Sequence, residues 1–82
     1  MRISLRIDFA DGSNKEVVCS APDFVAFEDK FNLSITRLEK EMKFTHLLFL
    51  GWHSLYRSKQ TALEFDAWVE TVDSAGATGF PK

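Results

Sequence analysis

The side chains best equipped for chemistry are His46 and His53, Cys19, and the acids Glu64 and Asp66. The two histidines lie seven residues apart. On a helix that is about 10 Å of rise, too far for both rings to bind one metal, whereas helical ligand pairs stand four residues apart. No other Cys or His is present to complete a ligand set. Cys19 has no neighbour that would stabilise a thiolate and reads as a small buried group. The serines have no recognisable activating base. Glu64 and Asp66 flank Phe65 at the start of a helical pattern, where acids favour the macrodipole. Asp11-Gly12 is a turn signal, and Gly76 and Gly79 belong to the C-terminal tail, so no glycine-rich loop cradles phosphate. These readings predict a protein that is not an enzyme, with no metal and no cofactor, whose histidines are partly buried and hydrogen-bonded.

The segment that positions the histidines is Phe44 to Arg57, apolar on nearly every side. Phe44, Leu47, Leu48, Gly51, Trp52 and Leu55 fall at i, i+3, i+4, i+7, i+8 and i+11, one stripe of a helix, while Phe49, Leu50 and Tyr56 lie outside it. A helix apolar all round is covered on several sides and belongs at the centre of a domain. It is shorter than the roughly 20 apolar residues that span a bilayer. Upstream, Ile35, Leu38 and Met42 continue the period, Thr36 and Glu39 have capping-box spacing, and no Pro or Gly intervenes before Gly51. The pattern predicts one long helix over 35–58, with a break near Lys43–Phe44 as the alternative. Gly51 costs about 1 kcal/mol relative to Ala within a helix, which suggests close approach of another backbone, from the hairpin or the last helix.

Residues 2–9 alternate strictly, with Ile3, Leu5, Ile7 and Phe9 on one face, and 13–20 form a weaker second strand. A three-residue loop with Gly12 in the left-handed region sets Leu5 opposite Val17, Ile3 opposite Cys19 and Arg6 opposite Glu16. A two-residue Asp-Gly turn would oppose Ile7 with Glu16 and Arg6 with Val17, so the first register is preferred. Ser20-Ala-Pro-Asp23 starts a helix over about 21–32, in which Phe24, Phe27 and Phe31 share a face. After the polar linker Ser58–Thr61, Phe65, Trp68, Val69 and Val72 predict a last helix over about 64–73. Residues 74–82 are small, Gly-rich and without period, and are expected to form a disordered tail. The expected architecture is α+β: an N-terminal β-hairpin packed on three helices in a single domain, 1–73, followed by that tail.

A chain of 82 residues with eight Phe and two Trp needs most of its aromatic area to build a core. The stripes Phe24, Phe27, Phe31 and Phe65, Trp68 nonetheless read as candidates for an exposed partner-binding groove. A net charge of −2, with its cations spread along the chain, argues against nucleic acid. The absence of an apolar leader pattern after Met1 and the single cysteine suggest a soluble, cytoplasmic protein.

Several segments together resemble the tail assembly chaperones of long-tailed bacteriophages, particularly those infecting actinobacteria. They are F-A-D-G at the end of the first strand, F-E-D-K-F at Phe27–Phe31, H-L-L-F-L-G-W-H at His46–His53 and F-D-A-W-V-E at Phe65–Glu70. The resemblance covers roughly residues 1–73 and rests on packing motifs. It implies a non-enzymatic protein of the infected cell's cytoplasm, absent from the mature virion, that binds the helical tape measure protein and keeps it soluble while tube subunits polymerise around it. It also implies a longer, frameshift-extended form that recruits tail tube subunits, with the join in the tail near Pro81-Lys82. Self-association is left open, and neither nucleic acid nor membrane is an expected partner. The alternative reading is a small structural virion protein, such as a head–tail connector or tail completion component.

Overall fold

The alternation of residues 3–9 buries Ile3, Leu5 and Ile7 almost completely and leaves Arg6 in solvent. A computed structural model describes residues 2–37 and 43–79 of the chain. In it β1 (Ile3–Phe9) pairs antiparallel with β2 (Asn14–Cys19), with Leu5 opposite Val17, Ile3 opposite Cys19 and Arg6 opposite Glu16. This is the register that matches apolar with apolar. The turn supplies it: Gly12, at φ +92°, donates its N–H to the Phe9 carbonyl at 3.0 Å, and Phe9 N–H reaches the Ser13 carbonyl at 2.8 Å. Only the charge pair differs from expectation, because Arg6 Nε bonds Asp8 on its own strand at 3.2 Å.

Helix α1 (Ala21–Phe31) begins as its sequence predicts, with Pro22 in the first turn and the Asp23 carboxylate accepting the Ser20 N–H at 3.0 Å. It stops at Asn32, whose φ of 53° is left-handed, a conformation asparagine tolerates at a helix end.

The long helix over 35–58 is not present. Residues Ile35–Arg37 make a single 3-10 turn, and Lys43 is extended, so α2 runs from Phe44 to Arg57. The alternative break at Lys43–Phe44 is the one found; Leu38 to Met42 lie outside the described residues. Local bonds compete with helix before the break: Glu28 accepts the Ile35 N–H at 2.8 Å, and Ser34 Oγ pairs with Thr36 Oγ1 at 2.8 Å. Such side-chain bonds offer the backbone partners outside a helical ladder.

Two further expectations are corrected. The last helix, α3, spans only Phe65–Val69 rather than 64–73. Thr71 ends it, its N–H and hydroxyl both bonding the Trp68 carbonyl at 2.9 and 2.6 Å. Val72–Gly79 then forms β3 in place of a disordered tail, antiparallel to the free edge of β1 in a sheet ordered β2-β1-β3. β1 has two edges and the hairpin satisfies one, so backbone pairing on the other selects a strand that lacks any hydrophobic signal. Ala75 opposite Ile7 and Ala77 opposite Leu5 are half-buried, with register irregularities at both ends of that run. Phe80 to Lys82, where the resemblance places a frameshift join, lie outside the described residues.

The helices pack against the face of the sheet that bears Ile3, Leu5, Ile7, Val17 and Cys19. α2 lies closest, and Gly51 permits it. A Cβ at Gly51 would stand 2.7 Å from Ile7 Cδ1. The predicted close approach is therefore to the hairpin, by a side chain rather than a backbone.

Candidate interaction surface

The side chains proposed from sequence as a partner surface divide sharply. Phe24, Phe27 and Trp68 are core residues, with Phe27 and Trp68 only 1% and 2% exposed. They cannot line a surface groove of this fold, because their helices turn them onto the sheet. Phe31 and Phe65 are half-buried and keep some surface.

Both belong to a larger aromatic band whose spine is α2. Phe49, Trp52 and Tyr56 recur at i, i+3 and i+7, a second stripe beside the one that meets the sheet. The Phe49 ring lies beneath, with Phe31 edge-on at 5.4 Å, Phe65 at 5.9 Å and Trp52 at 5.9 Å. Trp52 also meets Phe65 at 5.7 Å and Tyr56 at 5.1 Å. Phe31 comes from α1 and Phe65 from α3, so three helices contribute to one band. Trp52 is oriented by Nε1, which donates to the Leu63 carbonyl at 2.8 Å. Tyr56 and Leu63 are each 44% exposed, so the band ends in open apolar surface. Lys30 Nζ stands 5.8 Å from the Phe49 ring centroid, within cation–π range. Of this second stripe, Phe49 and Tyr56 were visible as residues outside the main apolar one, whereas Trp52 was counted within it, and only packing separates the two.

The histidines separate in role. His53 Nδ1 bonds Asp23 Oδ1 at 2.7 Å, the hydrogen-bonded arrangement expected. His46 is buried edge-on against Phe27 and Phe31, and its Nδ1 finds no partner among the described residues. No cluster of three or more His, Cys, Asp or Glu suited to a metal occurs among the described residues.

Asp23 is the charged group that sequence underestimated. Besides capping α1 it is completely buried, and it takes Arg57 Nη2 at 3.1 Å and Arg57 Nε at 3.3 Å. Burial pushes its carboxyl up, but the bonds from Arg57, His53 and the Ser20 N–H outweigh it and hold the carboxyl below its ordinary range. The same bond raises Arg57 further. His53 and Arg57 at i and i+4 on α2 were the available signal, though nothing in the spacing points to a partner thirty residues away.

Cys19 is fully buried as predicted, with its thiol directed at the Leu50 carbonyl at 3.4 Å. Burial, assisted by the Asp23 charge, pushes that thiol up to about 12. It is a packing residue.

A cleft of about 300 Å³ lies between the hairpin loop and the linker before α3, bounded by Phe9, Leu55, Leu63 and Trp68. Ser13, Thr61 and Thr71 bring hydroxyls to it, but no imidazole or carboxylate stands among its lining residues to activate one. No helix among the described residues is long and apolar enough to cross a membrane. No family model, curated protein or solved structure matches the chain.

Proposed function

We propose that the chain is a tail assembly chaperone of a long-tailed bacteriophage, a non-enzymatic protein that holds the tape measure protein in soluble form while the tail tube assembles. The family resemblance of residues 1–73 motivates the reading, and the structural observation that carries it is the aromatic band on α2. Phe31, Trp52, Tyr56 and Phe65 present a run of apolar surface between α1 and α3. The sheet already has its own buried cluster beneath. Such a surface fits the apolar stripe of an amphipathic helix, with anchors at i, i+3, i+4 and i+7. A tape measure protein offers many such stripes in series, so modest affinity at each is multiplied by avidity. In this proposal the client surface is the band rather than the whole of the two stripes first singled out. The working compartment is the host cytoplasm, and a frameshift-extended form brings in tube subunits.

Co-expression tests it. A tape measure protein, which this reading expects to be encoded beside the chain, should remain in the supernatant with the wild-type chain and move to the pellet with Tyr56→Glu or Phe65→Ser. Thermal unfolding of each variant controls for loss of fold. A client that stays insoluble beside the wild-type chain counts against the reading. So does recovery of the chain in purified virions, which favours a connector or completion component.

A further inference from the structure

We propose that the aromatic band fixes the direction in which a client helix lies, because its two flanks carry opposite charge. The proposal rests on the reading of the band as the client surface. α2 lies between α1 and α3: the Phe49 ring touches Phe31 of α1 and Phe65 of α3, and these two helices connect to β2 and β3, on opposite sides of β1.

On the α1 flank the charge facing α2 is Lys30, whose ammonium sits over Phe49. Glu28 is turned away to accept the Ile35 N–H, and Asp29 lies about 100° further round the helix. Asp23, on the same flank, is buried, paired with the Arg57 guanidinium and hydrogen-bonded to His53. On the α3 flank Phe65 is bracketed by Glu64 and Asp66, both exposed. The band thus has one cation, Lys30, beside it on the α1 flank and two acids, Glu64 and Asp66, on the α3 flank.

A helix seated with its apolar stripe on the band presents one flank to Lys30 and the other to Glu64 and Asp66. Reversing the helix exchanges its flanks. A client with acids on one flank and bases on the other therefore meets complementary charge in one direction and like charge in the other. Exposed ion pairs are individually weak, but those on both flanks act together, so the expected preference is about fivefold.

The probe is a synthetic amphipathic helix of about 18 residues, a little longer than α2, with Glu on one flank, Lys on the other and a nitroxide at its N terminus. A second peptide has the flanks exchanged. The broadening of protein amide signals should fall at one end of α2, near Leu47 and Leu48, with one peptide and at the other end, near Tyr56 and Arg57, with its counterpart. The charge-swapped protein Lys30→Glu/Glu64→Lys/Asp66→Lys, altered only at exposed positions, should reverse the assignment. Broadening that stays at the same end for both peptides, or is equal at both ends, overturns the directional inference while leaving the band as a client surface. If neither peptide broadens the band and the tape measure protein is not captured, both readings fall.

Discussion

Asp23 on α1 and His53 on α2 are thirty residues apart in sequence, and their Oδ1 and Nδ1 atoms stand 2.7 Å apart. With Arg57 on the second carboxylate oxygen, this contact ties the start of one helix to the end of the other. Asp23 is completely buried, whereas His53 and Arg57 keep some exposure. Removing one partner of a fully buried pair costs about 3–5 kcal/mol. Because His53 and the Arg57 guanidinium can both turn to water, Asp23→Ala is expected to cost less, about 2 kcal/mol. Urea denaturation at neutral pH measures it.

The same carboxylate predicts an acid-sensitive term. Its folded pKa lies below the ordinary value of 3.8. Its contribution is therefore complete above that value and disappears as pH falls through the folded one. The stability gap between wild type and Asp23→Asn should be constant from pH 7 to about 5 and shrink towards pH 3. A gap that widens on acidification would contradict the assignment.

Gly51 sets the distance between α2 and β1. Alanine there gains about 1 kcal/mol of helix propensity but drives a methyl group into Ile7 Cδ1 in a filled core, which costs about 1–3 kcal/mol. Gly51→Ala should be net destabilising. In an Ile7→Val background, where the clashing methyl is absent, the same change should be neutral or stabilising. A double-mutant cycle reads this coupling directly.

Cys19 should be unreactive in the native state, since burial and a thiol pushed up to about 12 leave almost no accessible thiolate. Maleimide labelling at pH 7.5 should track unfolding across a urea series. Fast labelling without denaturant would show that β2 and α2 separate at Cys19.

β3 makes truncation informative. A chain ending at Thr71 loses the strand that pairs Ile7 with Ala75 and Leu5 with Ala77. The lost ladder bonds, at about 1 kcal/mol each, predict a loss of about 3 kcal/mol or more. A disordered tail would predict no change.

How much was legible varied with the range of the controlling interaction. The hairpin register followed from the turn and the alternation of Ile3, Leu5 and Ile7. The first helix followed from Ser20, Pro22 and Asp23, whereas the central helix, expected over 35–58, is present only as Phe44–Arg57. The extent of the other helices did not follow, because the bonds that stop them lie outside their own period: Glu28 on Ile35, Thr71 on Trp68. The candidate surface was half legible. Phe31 and Phe65 keep some surface, but Phe24, Phe27 and Trp68 were grouped with them because a stripe has the same spacing whether it meets solvent or a sheet.

The sequence by itself determined the hairpin with its register, the start of the first helix and the apolar stretch of the central one, since alternation, caps and turn chemistry act over a few residues. Tertiary structure decided which aromatic groups stay outside, that Asp23 rather than a histidine pair is the buried polar centre, and that an unpatterned C-terminal segment becomes a strand. The physical reason is the same in each case. Burial, ion pairing and the unpaired edge of β1 depend on groups brought together from distant positions, and no spacing along the chain encodes which of them meet.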